Sequence, residues 1–116
     1  MMINILGTYY TIVIKDATED KEFENCDGYC SSLLKEIVIC NLRSRDTWKD
    51  EPDSAVNEAY KRIVRHEIVH AFFDESGLEQ NANQFEGAWS KNEEMVDFFA
   101  IQGLKIYNSW KEAKVI

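Results

Sequence analysis

The fold class this chain predicts is α+β: a small sheet of about three β-strands, packed on one long helix and followed by a second, C-terminal helix. Three observations predict it. Short runs of β-branched and aromatic residues crowd into the N-terminal third. Helical periodicity takes over after Pro52, in two long segments. Strands first and helices after is the order of α+β rather than of alternating βαβ units. At 116 residues the chain is expected to form a single domain, residues 1–116, able to bury one core.

The elements follow in order. Thr8-Tyr-Tyr-Thr-Ile-Val-Ile14 reads as a strand. Asp16 to Glu24 is charged and reads as a loop or one short helix. Gly28 to Ser32 and Glu36 to Cys40 read as two short strands joined by a tight turn. In the second, Ile37 and Ile39 share one face and Val38 and Cys40 the other, as in a sheet covered by helices. Asn41 to Pro52 is a polar loop with Trp48 as its large apolar residue. Ser54 to Gly77 is the long helix, with Asp53 or Ser54 able to cap its start and Gly77 suited to its end. Val56, Tyr60, Ile63 and His70 make its stripe, widened by Ile68, Val69 and Phe72. Leu78 to Lys91 is a connection carrying Phe85 and Trp89, either a lid or an ordered crossover. The second helix runs from Asn92 to about Trp110, with Val96, Phe99 and Leu104 as its apolar stripe.

The long helix holds the chemistry. His66-Glu67-Ile68-Val69-His70 is an H-E-x-x-H motif containing both histidines of the chain. Residues four apart share a helical face, so both imidazoles can reach one ion. Glu67 sits beside them, where a carboxylate can act as general base on a metal-activated water. Average residue usage would produce the pattern by accident in roughly one chain of this length in a few hundred, so its context matters. The plainer reading is a pair of core histidines. Buried imidazoles need polar partners, and two stacked ones need two sets.

A zinc site of this kind needs a third protein ligand, and no histidine remains to supply it. Cys26, Cys30 and Cys40 lie upstream; downstream lies Asn92-Glu93-Glu94-Met95-Val96-Asp97. Acids in a first helical turn also complement the helix dipole, which is their plainer role. Glu93 and Asp97 are four apart and share a face. Glu93 is the preferred third ligand, because it alone leaves Asp97 at the same azimuth. There Asp97 can accept a hydrogen bond from the free ring nitrogen of a ligand histidine. Glu94, about 100° round the helix, is the competing ligand.

H-E-x-x-H followed at a distance by N-E-x-x-x-D resembles the gluzincin metallopeptidases, on His66, Glu67 and His70 and then Asn92, Glu93 and Asp97. The runs Arg65 to Leu78 and Asn92 to Ala100 also resemble small phage and prophage proteins of the ImmA/IrrE type. The resemblance implies a small zincin-like domain, zinc held by His66, His70 and Glu93, and Asp97 as histidine partner. In such proteins the edge strand beside the active helix holds an extended substrate by strand addition. Glu36 to Cys40 is the expected edge. Gluzincins also commonly place a His or Tyr to steady the tetrahedral intermediate. With no third histidine, that role is unassigned here.

Composition narrows the rest. The net charge is −8, which repels phosphates and argues against a nucleic-acid partner. No apolar run approaches membrane-helix length, and the N-terminus lacks the basic and apolar regions of a signal peptide. A cytoplasmic protein with no membrane partner is expected, in the host cytosol if it is phage-encoded. Reduced thiols are then the default, and the three cysteines read as small semi-buried side chains. The expected function is a zinc-dependent hydrolase, a peptidase acting on a peptide or protein substrate with Glu67 as base. The alternative is a catalytically silent zinc-binding regulatory or interaction protein.

Overall fold

A computed structural model describes residues 1–76 and 89–112. They form a small α+β fold with a four-stranded sheet and two helices, one strand more than the sequence predicts. The strands are β1 (Met2–Ile5), β2 (Thr8–Lys15), β3 (Gly28–Ser31) and β4 (Glu36–Cys40). The helices are α1 (Asp53–Glu75) and α2 (Glu93–Glu112). Short 3-10 turns stand at Lys21–Glu24, Leu42–Ser44 and Trp89–Lys91.

The additional strand is β1. It pairs antiparallel with β2 across a two-residue turn, Leu6-Gly7, with φ of 51° and 93°. Positive φ at both central residues is what such hairpin turns require.

The sheet order is β1-β2-β4-β3. β2 and β4 run parallel, while β3 folds back antiparallel on β4. This overturns one expectation. Glu36–Cys40 is an interior strand, and the edge on that side is β3. Strand order depends on which way the chain crosses over, and no local residue pattern in β4 carries that information.

The alternation in β4 is as expected. Ile37 and Ile39 join Ile5, Tyr10 and Ala71 in the core under α1, against Tyr60, Ile63, Val64 and Ile68 of the helix. Val38 and Cys40 face the other way. That face is covered by Phe23 of the first 3-10 turn rather than by a helix.

α1 begins one residue earlier than expected and without a side-chain cap. Pro52 occupies the cap position, and the Asp53 carboxylate is engaged by Arg43 instead. Ser76 closes the described end, its hydroxyl donating to the Phe72 carbonyl at 2.7 Å. Gly77, Phe85 and most of the Leu78–Lys91 connection lie outside the described residues.

The C-terminal turn of α1 is tied to the sheet through Glu75. Tyr10 Oη donates to Glu75 Oε1 at 2.7 Å and Thr8 Oγ1 to Oε2 at 3.0 Å. Lys35, at φ 56° in the turn between β3 and β4, forms an ion pair with the same carboxylate.

α2 packs on α1, but not by the expected stripe. Val96 is buried as predicted, whereas Phe99 and Leu104 are exposed. Ala100 is buried instead, and Arg65 Nε of α1 donates to its carbonyl at 2.9 Å. A small residue there brings the helix backbones close, leaving the larger side chains on the flanks. On α1, Phe72 is likewise exposed, and Ala71 takes the core position.

Candidate metal centre

Three elements converge on one point. α1 supplies His66 and His70, one turn apart, with ring centroids 4.9 Å from each other. The turn Trp89–Lys91 supplies the Ser90 carbonyl. The first turn of α2 supplies Glu93 and Asp97. Asn92 sets where that turn begins: its Oδ1 accepts from the Met95 N–H at 2.9 Å, the bond of an N-cap. Helix α2 therefore starts at Glu93, with the carboxylates of Glu93 and Asp97 on the side facing α1.

The hydrogen bonds fix the tautomers. His70 Nδ1 lies 2.9 Å from the Ser90 carbonyl oxygen, which can only accept, so Nδ1 carries the proton. His66 Nδ1 lies 2.6 Å from Asp97 Oδ1, where an ionised carboxylate likewise accepts. A neutral imidazole has one N–H, so both Nε2 atoms are left as bare lone pairs. These two atoms stand 3.1 Å apart. Glu93 adds Oε2 at 3.0 Å from His66 Nε2 and Oε1 at 3.1 Å from His70 Nε2. With both rings neutral, acceptors face acceptors, an arrangement that a cation at its centre would satisfy.

A second proton on the histidines would be the simplest cation. Burial works against it at His70, whose pKa is held below the ordinary histidine value despite the Glu93 charge. A metal ion fits better. Ligand atoms about 2.0–2.1 Å from one tetrahedral zinc lie roughly 3.3 Å from each other. The separations of 3.0–3.1 Å are close to that spacing.

Glu67, like His70, is buried, 6 % exposed. Burial, with the charges of Glu93 and Asp97, outweighs the pull of His66 and raises its pKa to about 7. Its Oε1 is 4.0 Å from His66 Nε2, and the donor atoms of His66, Glu67 and His70 lie within 4.8 Å of one another. Glu67 could therefore ligate an ion itself. Glu93 is the better third ligand, because it stands a full ångström nearer and touches both imidazoles. Glu94 is exposed and is not among the residues lining the cleft.

These groups open into a cleft of about 760 Å³. Its walls include Ala59, Arg62 and Ile63 of α1, the segment Asn25–Cys30 and Trp48. The close fit of β3 on α1 depends on Gly28, where a Cβ would stand 2.9 Å from Ile63 Cγ2. Cys26 and Cys30 line the cleft, and all three cysteines are free thiols. Burial raises the Cys26 pKa.

The structure thus brings His66, Glu67, His70, Glu93 and Asp97 together. Sequence reasoning missed the Ser90 carbonyl, because a backbone acceptor has no residue signature. It also missed Asp74, whose buried carboxylate lies 3.5 Å from Lys91 Nζ. A signal was available: Asp74 follows His70 by four residues and so shares its face. No protein-family model matches the chain, and no curated protein or solved structure is significantly similar to it.

Proposed function

We propose that this protein is a zinc-dependent hydrolase, a peptidase built on a minimal zincin-like domain of the gluzincin type. In its motifs it resembles small phage and prophage proteins of the ImmA/IrrE type. One observation carries the reading: both Nε2 lone pairs and both Glu93 oxygens converge on one point beside a buried glutamate, at the mouth of a cleft. His66, His70 and Glu93 would hold the ion, and two imidazoles with a carboxylate suit zinc. Bound there, zinc would lower the pKa of a water towards roughly 7 and polarise a scissile carbonyl.

The chain's own residues do the rest. Ser90 and Asp97 hold the imidazole planes through Nδ1, which keeps Nε2 aimed at the centre. Glu67, buried beside that point, would take a proton from water and return it to the leaving amine. β3 is the strand whose open side can receive an extended peptide by strand addition. The substrate is therefore a peptide or an extended protein segment. Nucleic acid and membrane are not partners in this reading, which places the protein in the cytoplasm. Among the described residues no helix is long and apolar enough to cross a membrane.

A regulatory zinc-binding protein that cleaves nothing is the second reading. One observation favours it. The cleft's tyrosine, Tyr29, donates its hydroxyl to Asp20 Oδ2 at 2.6 Å, which keeps it from steadying a tetrahedral intermediate.

Glu67→Gln separates the two, since it removes a base but keeps shape and ligands. Metal content should match the parent's, while peptide hydrolysis falls by roughly 10²–10⁴-fold. Unchanged function in the variant, with metal still bound, would leave the regulatory reading standing and remove the peptidase.

A further inference from the structure

Helix α1 carries one cation into the cleft that has no ion-pair partner among the described residues. Arg62 lies one turn before His66 on the same face, is exposed and lines the cleft. The other cations around it are paired. Lys91 Nζ faces Asp74 at 3.5 Å, and Asp27 pairs with Arg45 at 2.8 Å. Asp97 accepts from His66 at 2.6 Å, while Glu93 and Glu67 face the histidine Nε2 atoms. Glu58, one turn before Arg62 and its natural helical partner, pairs with Lys61 at 2.9 Å instead. Among the described residues Arg62 makes no hydrogen bond or ion pair.

An unmatched guanidinium is a planar fork suited to a carboxylate. Four helical residues place Arg62 about 6 Å from His66 along the α1 axis. An extended peptide advances about 3.3 Å per residue, so a group one or two residues from the cleaved bond would come level with it. We infer that Arg62 determines specificity, selecting peptides that carry a carboxylate one or two residues from the scissile bond. That carboxylate is an acidic side chain or a free C-terminus. The inference rests on the peptidase reading for its choice of ligand, but its test does not need turnover.

The probe is a set of alanine-rich hexapeptides with Glu or Gln at each position in turn, made with amidated and with free C-termini. They are titrated calorimetrically into zinc-loaded Glu67→Gln protein, which keeps the ligands but not the base. At one or two positions Glu should bind roughly tenfold to a hundredfold tighter than Gln, the range of a charge-assisted pair. A preference for free over amidated ends alone would make the C-terminus the source. Adding Arg62→Gln should bring the acid and amide peptides within about twofold of each other. Arg62→Lys should keep part of the preference, and Arg62→Glu should turn it towards lysine peptides. Equal metal content in all variants shows that the site is intact. Equal binding of acid and amide peptides by the parent overturns the inference. So does a preference that survives Arg62→Gln, which would put the carboxylate on the metal. Should the protein cleave nothing and still show this Arg62-dependent preference, the hydrolase reading falls and the role of Arg62 stands.

Discussion

Helix α1 carries a polar cluster at each of two places, and they are built on opposite principles. At its C-terminal turn, the Glu75 carboxylate receives Tyr10, Thr8 and Lys35, three donors on one acceptor group. At its middle, His66 and His70 turn their Nε2 lone pairs towards each other and towards the carboxylate of Glu93. The first cluster is complete as it stands and fastens the helix to the sheet. The second is an assembly of acceptors held from behind by Asp97 and Ser90. A polar cluster that only stabilises a fold pairs donor with acceptor. One that leaves acceptors facing a common centre has a place for a cation between them.

The largest effect that would test this contrast is loss of metal. The purified protein should hold about one zinc per chain, and His66→Ala or His70→Ala should abolish tight binding, read by elemental analysis. Glu93→Gln should lower affinity sharply. Full occupancy in both histidine variants would mean that the acceptors at mid-helix are not a metal site. Asp97→Asn should cost less, on the order of 10–100-fold in affinity, because it frees a ligand without removing one.

Glu75→Gln should do the reverse, leaving zinc stoichiometry unchanged while lowering unfolding free energy by about 1–3 kcal/mol, read by urea denaturation. The effect should depend on pH. Lys35, and then Tyr10, hold the Glu75 carboxyl below its usual pKa. A depressed folded pKa contributes stability that is complete above the unfolded value of about 4.3 and disappears as pH falls through the folded one. Parent and variant should therefore converge in acid. Glu94→Gln should have the smallest effect, leaving both metal affinity and stability nearly as they are. A large loss of zinc there would show that the first turn of α2 presents the other glutamate.

The sequence made the grouping of these four side chains readable because its parts are local. His66 with His70, and Glu93 with Asp97, are each four residues apart, and the helix converts that spacing into a shared face. What could not be read is what depends on residues meeting from a distance. β1 is a four-residue strand that exists by pairing with β2, so Met2–Ile5 carries too little pattern to announce itself. The edge position passed from Glu36–Cys40 to Gly28–Ser31 through a crossover that strand composition does not encode. Phe99 and Leu104 have the right period for a buried stripe, but Ala100 lies at the line of closest approach. Hydrophobicity predicts that α2 packs; the fit of small against large decides which side does.

Among the described elements α2 packs chiefly on α1, and it carries several exposed aromatic and aliphatic side chains away from that contact. Its hold on the fold is correspondingly modest, yet it supplies Glu93 and Asp97. Ligand binding and helix docking are then two sides of one equilibrium: an ion that requires both helices stabilises the docked state by RT ln(1 + [L]/Kd). At a hundredfold excess over Kd, that is about 2.7 kcal/mol added to the local opening free energy of α2. If zinc binds as proposed, the amide protons of α2 would exchange on a schedule set by free zinc, and this helix would report occupancy.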